Sequence, residues 1–444
     1  MSQFHVTVVG GGVAGILSAL YLSKNGAKVC LIDSELEIGG LLKSFRNEHG
    51  DCFDYGTHFI PELAQTEINE LLSIKAHANW ETIESLKVST YSNGHSYSQS
   101  SYIKPQHLTP EERSKAHEEF IACSPRADGY KDLNDYFESR YGPTLSANVF
   151  KPLVCKIHGK QTENLSTELA RIFQLNRILL FTEEETIKLK QDAWFDDRLA
   201  YHSATNSPAP SLNYYPTNEG VGAWISILLD KLQQAGVEIC TGARVASIES
   251  KSKSINKVCL ADGRTIETDH LVWTISPGLL SKTLRIPTKA APPQFVQSSL
   301  TFLTYDEDYL TPSYYLLNHD AQHQSYRVTL FDNFSNGNAG KKRICVESFQ
   351  PDEQPPPSPL LINEELIQMG VLPENAIPTY QKTSSVNNGF PIMRKSLISD
   401  IISINQAINE QIDNVTLCGK ASGKAFFMTD TLAETYKSVL NISF

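Results

Sequence analysis

Val6-Thr7-Val8-Val9-Gly10-Gly11-Gly12-Val13-Ala14-Gly15-Ile16-Leu17-Ser18-Ala19-Leu20 decides the fold. The β-branched run predicts a strand, the Gly-x-Gly-x-x-Gly spacing a tight turn, and the apolar residues beyond it a helix. Each glycine has its own task in such a turn. Gly10 permits the sharp exit from the strand, Gly12 lets backbone approach a pyrophosphate, and Gly15 lets the helix pack closely on the sheet. The helix N-terminus, with Val13 and Ala14 in its first turn, offers unpaired N–H groups and partial positive charge to a diphosphate. Residues 29–32 predict the second strand, closed by Asp33 with Ser34 beside it. A carboxylate there accepts ribose hydroxyls and repels a 2′-phosphate. The glycine spacing alone is only a strand-to-helix turn; strand, helix, second strand and acid together predict a dinucleotide site.

A chain of 444 residues, 41% of them hydrophobic, can bury a large core and suggests two or three domains. The net charge of -11, with no long Lys/Arg run, argues against a nucleic-acid partner, whose phosphates need a basic face. A phosphorylated small molecule stays compatible if a few basic residues converge. The eight cysteines are scattered without Cys-x-x-Cys or zinc spacing, so they read as reduced core thiols and no metal centre is expected. No secretory signal and no apolar run of membrane-spanning length are visible, which predicts a soluble, cytoplasmic protein.

Further along, Gly39 and Gly40, followed by Leu41, let backbone pass close to whatever lies on the opening turn. Next comes Phe53-Asp54-Tyr55-Gly56-Thr57-His58-Phe59-Ile60, a strand pattern broken by Gly. The succession Gly10-x-Gly12-x-x-Gly15, Asp33, Gly39-Gly40 and Asp54-Tyr55-Gly56-Thr57-His58 resembles the FAD flavoenzymes that include UDP-galactopyranose mutases, protoporphyrinogen oxidases and amine oxidases. The resemblance implies FAD as cofactor, with Gly56, Thr57 and His58 against the flavin and His58 as the flavin-proximal catalytic candidate. It also implies an α/β fold: a Rossmann-like FAD-binding domain in three discontinuous segments (1–75, 212–285 and 385–444), and an inserted α+β substrate domain (76–211 and 286–384).

Residues 62–85 carry helical apolar spacing, and 88–102 alternate like strands. Thr109-Pro110-Glu111-Glu112 is a helix start, and 203–212, with Pro208 and Pro210, reads as a loop. Within the insertion, residues 150–159 are similar to the mutase segment Phe-x-Pro-Tyr-x-x-Lys-x-Trp-Gly, with Val154 and His158 where aromatic residues are usual. The resemblance makes Lys156, Arg171 and Arg327 candidate substrate ligands, an arginine fork suiting a diphosphate. Residues 236–240, 243–248 and 257–266 predict strands, with a hairpin turn at Asp262-Gly263. By resemblance, Val245 meets the adenine. Four more strand-like runs between 297 and 349 predict an antiparallel sheet. Near the end, Gly419 and Lys420 follow a strand, and Met428, Thr429 and Asp430 begin a helix; by resemblance these meet the ribityl-phosphate end and the flavin pyrimidine.

The favoured expectation is an FAD-dependent oxidoreductase moving a hydride from a polar small molecule to flavin. The alternative is a non-redox sugar-nucleotide mutase, with a nucleotide sugar as substrate and the three cations on its diphosphate. A third is a non-catalytic binding protein like the GDP-dissociation inhibitors, opposed by the intact glycine turn, Asp33 and the 419–430 segment. Oligomeric state is not legible.

Overall fold

Five parallel strands form the central sheet, in the order Glu238–Cys240, Lys28–Ile32, His5–Val9, His270–Trp273 and Val415–Leu417. The computed structural model describes residues 3–443 except 76, 78, 99, 203–211, 336–339, 352 and 353. Side-chain alternation assigns each strand two buried faces. Val6, Val8, Val29, Leu31 and Val272 meet the helices Val13–Lys24, Gly222–Gln234 and Met428–Val439. Val9, Cys30, Ile32, Cys240, Leu271 and Trp273 meet an antiparallel three-stranded sheet (Val245–Lys251, Ser254–Leu260, Thr265–Glu267) and the helix Leu397–Gln411. The opening turn therefore sits in a doubly covered parallel sheet of Rossmann type, as expected. Asp262 and Gly263 make the expected hairpin, with Gly263 at φ +90°.

A seven-stranded sheet forms the second body. Its order is Tyr380–Pro391, Phe295–Tyr305, Lys342–Gln350, Ser325–Leu330, Tyr315–Asn318, Val88–Ser92 and His95–Ser98. The expected antiparallel pattern holds except where Val88–Ser92 joins Tyr315–Asn318 in parallel, because that strand arrives from the earlier insertion. The boundary expected at 385 is corrected: Tyr380–Pro391 stays paired with Phe295–Tyr305 through Pro391. The helix Pro359–Gln368 covers one face of this sheet, and the other turns toward the helical insertion and the parallel sheet.

Caps set the insertion's helices. Thr109 and Glu112 form a reciprocal capping box for Pro110–Ala122, and Thr182 and Glu185 do the same for Glu183–Leu189. Lys151–His158 ends at Gly159, left-handed at φ 58°.

The long helix expected over 62–85 is absent. Among its described residues only Thr66–Leu71 is helical, and Trp80–Ile83 is a strand paired with Asn213–Pro216. Asn69 closes the segment by bonding both Leu63 N and Leu63 O, and positive φ at Ser73 and Lys75 ends the helix. Leu63, Ile68, Leu71, Leu72 and Ile74 are nonetheless buried, so the apolar spacing reports burial and not helix length. The strand pattern expected to 102 stops at Ser98, with Gln99 outside the described residues, as is the loop with Pro208 and Pro210.

Asp332 holds Arg343 within the second body, and Arg343 reaches out of it to the strand Cys52–Asp54. Both are nearly inaccessible (3% and 6%); Arg343 Nη2 lies 2.7 Å from Asp332 Oδ1, and Nη1 donates to Cys52 O at 2.8 Å. Asp332→Asn leaves a buried guanidinium without its counter-charge and is expected to cost about 3–5 kcal/mol in denaturant unfolding of the apoprotein.

Candidate functional site

Gly10 leaves its strand at φ +107°, and its N–H donates to Ile32 O at 2.8 Å. A side chain there would run into Thr274 Oγ1, and one at Gly15 into Gly10 O. Gly12 differs: a Cβ placed on it meets nothing within 4 Å. The helix that starts there has no side-chain cap and no acid in its first turn. Its first N–H groups and the positive end of its dipole thus face open space, which is what a phosphate requires. Gly39 N donates to Gly11 O at 2.8 Å, and Gly40 closes over Gly12. Asp33 accepts from Gly11 N at 2.5 Å through Oδ2 and from Glu35 N at 2.8 Å through Oδ1, so its carboxylate stands at the turn's edge. Ser34 and Leu41 are exposed beside it.

The chain's last strand completes this cradle from the opposite end of the sequence. Gly419 approaches so closely that a Cβ on it would sit 2.8 Å from that of Ala14, and its N–H donates to Glu434 Oε2 at 3.0 Å. Lys420 follows. Its side chain is exposed, its pKa is lowered by partial desolvation, and it has no carboxylate partner among the described residues. An uncapped helix start, clear space over Gly12 and a nearby unpaired ammonium together fit a dinucleotide diphosphate. Val245 lies partly exposed at the start of the antiparallel layer, opposite Leu260.

The second part of the site lies where the large sheet faces the 55–59 segment. Asp54, wholly buried, holds that segment's root by accepting from Ser44 Oγ (2.5 Å), Tyr215 Oη (2.8 Å) and Val221 N (2.9 Å). Burial pushes its carboxyl up to about 6. Gly56 then turns at φ +114°, and Thr57 Oγ1 meets Thr329 Oγ1 at 2.6 Å, joining segment to sheet. His58 Nε2 lies 3.2 Å from Tyr55 O. Burial, with a contribution from the nearby Arg327 cation, lowers His58 to about 4, so the ring is neutral at pH 7. With the proton on Nε2, Nδ1 is left as an acceptor.

Arg327 is paired at 2.8 Å with Glu347, its cross-strand neighbour. Its Nε is buried without a hydrogen-bond partner among the described residues, while the side chain as a whole keeps 34% of its exposure. Tyr315 shares that environment, and burial raises its phenol. Glu347 and Tyr315 are site residues that sequence reasoning missed, since a strand's alternation does not tell a cavity-facing polar residue from a solvent-facing one.

The structure brings His58 and Arg327 together but does not bring Lys156 and Arg171 to the same point. Lys156 donates to three backbone carbonyls, Asn318 O (3.0 Å), Asp320 O (2.6 Å) and Ser325 O (2.8 Å), and burial lowers it to about 7. Its donors are spent holding the 318–325 turn. Arg171 pairs with Asp430, tying the insertion to the start of the last helix. Met428 packs against the parallel-sheet core. Of the three cations expected to converge on one anion, Lys156 and Arg171 are committed elsewhere, and Arg327 stays beside His58, paired with Glu347.

A sequence model described as flavin containing amine oxidoreductase matches residues 13–361. The chain is also similar to 4,4'-diapolycopen-4-al dehydrogenase of Metabacillus indicus, 22% identical over 306 residues that make up 68% of this chain and 61% of that protein. The chain thus spans about three fifths of that relative's length. Among solved structures, reduced UDP-galactopyranose mutase superposes with a TM-score of 0.77 at 15% identity, covering 98% of this chain and 95% of that one. Cyclohexylamine oxidase from Brevibacterium oxydans IH-35A gives 0.64 at 15% identity, covering 99% and 98%. At such identities the structures speak for the fold. No helix among the described residues is long and apolar enough to cross a membrane.

Proposed function

The chain belongs to the flavin containing amine oxidoreductase family, with FAD as its cofactor, and on that premise we propose an oxidoreductase that removes a hydride from a polar small molecule. Bound FAD supplies a two-electron hydride acceptor. The 10–15 turn, Asp33, the Gly39-Gly40 pair, Gly419 and Lys420 hold its nucleotide and diphosphate. Gly56, Thr57 and His58 stand at the other end, with neutral His58 offering Nδ1 as an acceptor. Arg327 and Glu347 orient the substrate's polar group, Arg327 through the part of its side chain that stays accessible.

The observation that carries this reading over the sugar-nucleotide mutase is the occupation of the three cations. The Lys156 donors are taken by three backbone carbonyls, and Arg171 and Arg327 are each paired with a carboxylate, Asp430 and Glu347, so the three do not converge on a substrate diphosphate. The overall likeness to the mutase structure is one of fold.

The test separates the two by electron balance. Oxidised protein, kept free of air, is mixed with a panel of small polar amines and hydroxy compounds, and reduced protein with UDP-galactopyranose. Loss of flavin absorbance with a member of the panel supports oxidation. Isomerisation of the nucleotide sugar by the reduced form alone overturns it.

Lys420 gives a second expectation. Lys420→Met removes the unpaired cation that follows Gly419, and FAD affinity is expected to fall about tenfold, near the value of a charge-assisted hydrogen bond. Flavin fluorescence on dilution reads it. Apoprotein stability should hold or rise, because the lost ammonium has no ion-pair partner among the described residues.

A further inference from the structure

We propose that Cys30, Cys240 and Glu238 form a binding site for one thiophilic divalent metal ion of the zinc class, at the edge of the parallel sheet. The cysteines are far apart in sequence, but the sheet register pairs Glu238 with Cys30 and sets Cys240 two residues further along the same face. Cys30 Sγ and Cys240 Sγ are 3.8 Å apart. Two sulfurs bound at about 2.3 Å to one tetrahedral ion are separated by about 3.8 Å. Glu238 Oε1 is 3.9 Å from Cys240 Sγ, and the three ligand atoms all lie within 4.8 Å of one another. Two thiolates and one carboxylate favour zinc over magnesium or calcium.

Arg264 is an independent pointer. It reaches across from the antiparallel layer to place Nη1 3.6 Å from Cys240 Sγ, and is held there by Asp262 at 2.7 Å. Two neutral thiols give a guanidinium little to stabilise. Two thiolates and a carboxylate around a divalent ion carry a net charge of -1, which one guanidinium balances while donating to a bound sulfur, as outer-shell partners do. Without an ion, burial and the neighbouring Cys240 and Glu238 push the Cys30 thiol well up. Binding exchanges two thiol protons for the ion and releases them to solvent, with no change of oxidation state. Glu238 is exposed, so the ion can enter from its side and keep a water in the fourth position. The clamp would fix the strand Glu238–Cys240 against the strand that ends at Asp33, whose N–H already donates to Cys240 O at 2.9 Å.

The experiment uses flavin-loaded protein, reduced with a phosphine, stripped by chelator, incubated with zinc chloride and gel-filtered before elemental analysis. About one zinc per chain is expected, near zero for Cys30→Ser and Cys240→Ser, and about tenfold weaker binding for Glu238→Gln. Glu238→Gln alters an exposed residue and keeps the test informative if a serine variant fails to fold. No zinc uptake by the parent protein, or equal uptake by parent and Glu238→Gln, overturns the proposal. So does a Cys30–Cys240 disulfide in freshly isolated protein, which would make the pair a redox couple.

Discussion

Gly12→Val is expected to yield a folded, colourless protein. Gly12 has φ −73° and ψ 177°, extended backbone that valine adopts without strain, and its Cβ would meet no protein atom within 4 Å. The new side chain would occupy the space over the helix start where the pyrophosphate must come close to backbone. Flavin bound per chain should fall below about one tenth of the parent value, while apoprotein stability stays within about 0.5 kcal/mol, as for substitutions that disturb no packing. Gly15→Ala makes the contrast. Its Cβ collides with Gly10 O, so the fold itself should weaken. Flavin content after purification and denaturant unfolding of the apoprotein separate the two cases. A Gly12→Val protein with full flavin would show that the diphosphate lies elsewhere.

Acid should unfold this protein at unusually mild pH. Burial lowers His58 and His270 to about 4 and His158 and His319 to about 3, from 6.5. Neither ring nitrogen of His158 or His319 has a hydrogen-bond partner among the described residues. The folded state keeps these rings neutral while the unfolded chain protonates them below pH 6.5. Stability is therefore complete above that value and is lost as pH falls toward the folded values. His158 and His319, at 1% and 6% exposure, each contribute a slope of about 1.4 kcal/mol per pH unit between roughly pH 6 and 4. Asp54 acts oppositely, since its raised pKa favours the folded state as pH falls from about 6 to 3.8; burial raises Glu434 as well, and two carboxyls do not offset four imidazoles. His158→Phe, between Phe173 and Phe390, should flatten the slope by one histidine's share; an unchanged slope would remove His158 from the account.

The nucleotide half was legible because its constraints are local. Gly10, Gly12, Gly15 and Asp33 act through backbone conformation and spacing within one strand-helix-strand unit, and such chemistry leaves a pattern in neighbouring residues. The substrate half was legible only as a roster of charges. Whether Lys156 faces a ligand or three carbonyls depends on a turn more than a hundred residues away, and whether Arg327 is free depends on Glu347 across the sheet. The Cys30 and Cys240 pairing is of the same kind, invisible to spacing rules because sheet order makes it. The overlong helix expected over 62–85 failed for a related reason: apolar periodicity records burial, while Asn69 and the left-handed residues after it decide where the helix stops.

The sheet order also governs when the protein can become functional during its own synthesis. The strand His5–Val9 finds its neighbours at 28–32 and 270–273, and the sheet closes only with 415–417. Ser18 and Cys418, 400 residues apart in the chain, touch beneath the cradle. A ribosome extends the chain N-terminus first, at about 5–20 residues per second. For about 20 to 80 seconds the first helix exists with its phosphate-binding end unsealed. Cofactor loading thus waits until the strand at 415–417 has been made, and a stalled chain lacking that strand would expose an apolar helix face with no flavin to hold it.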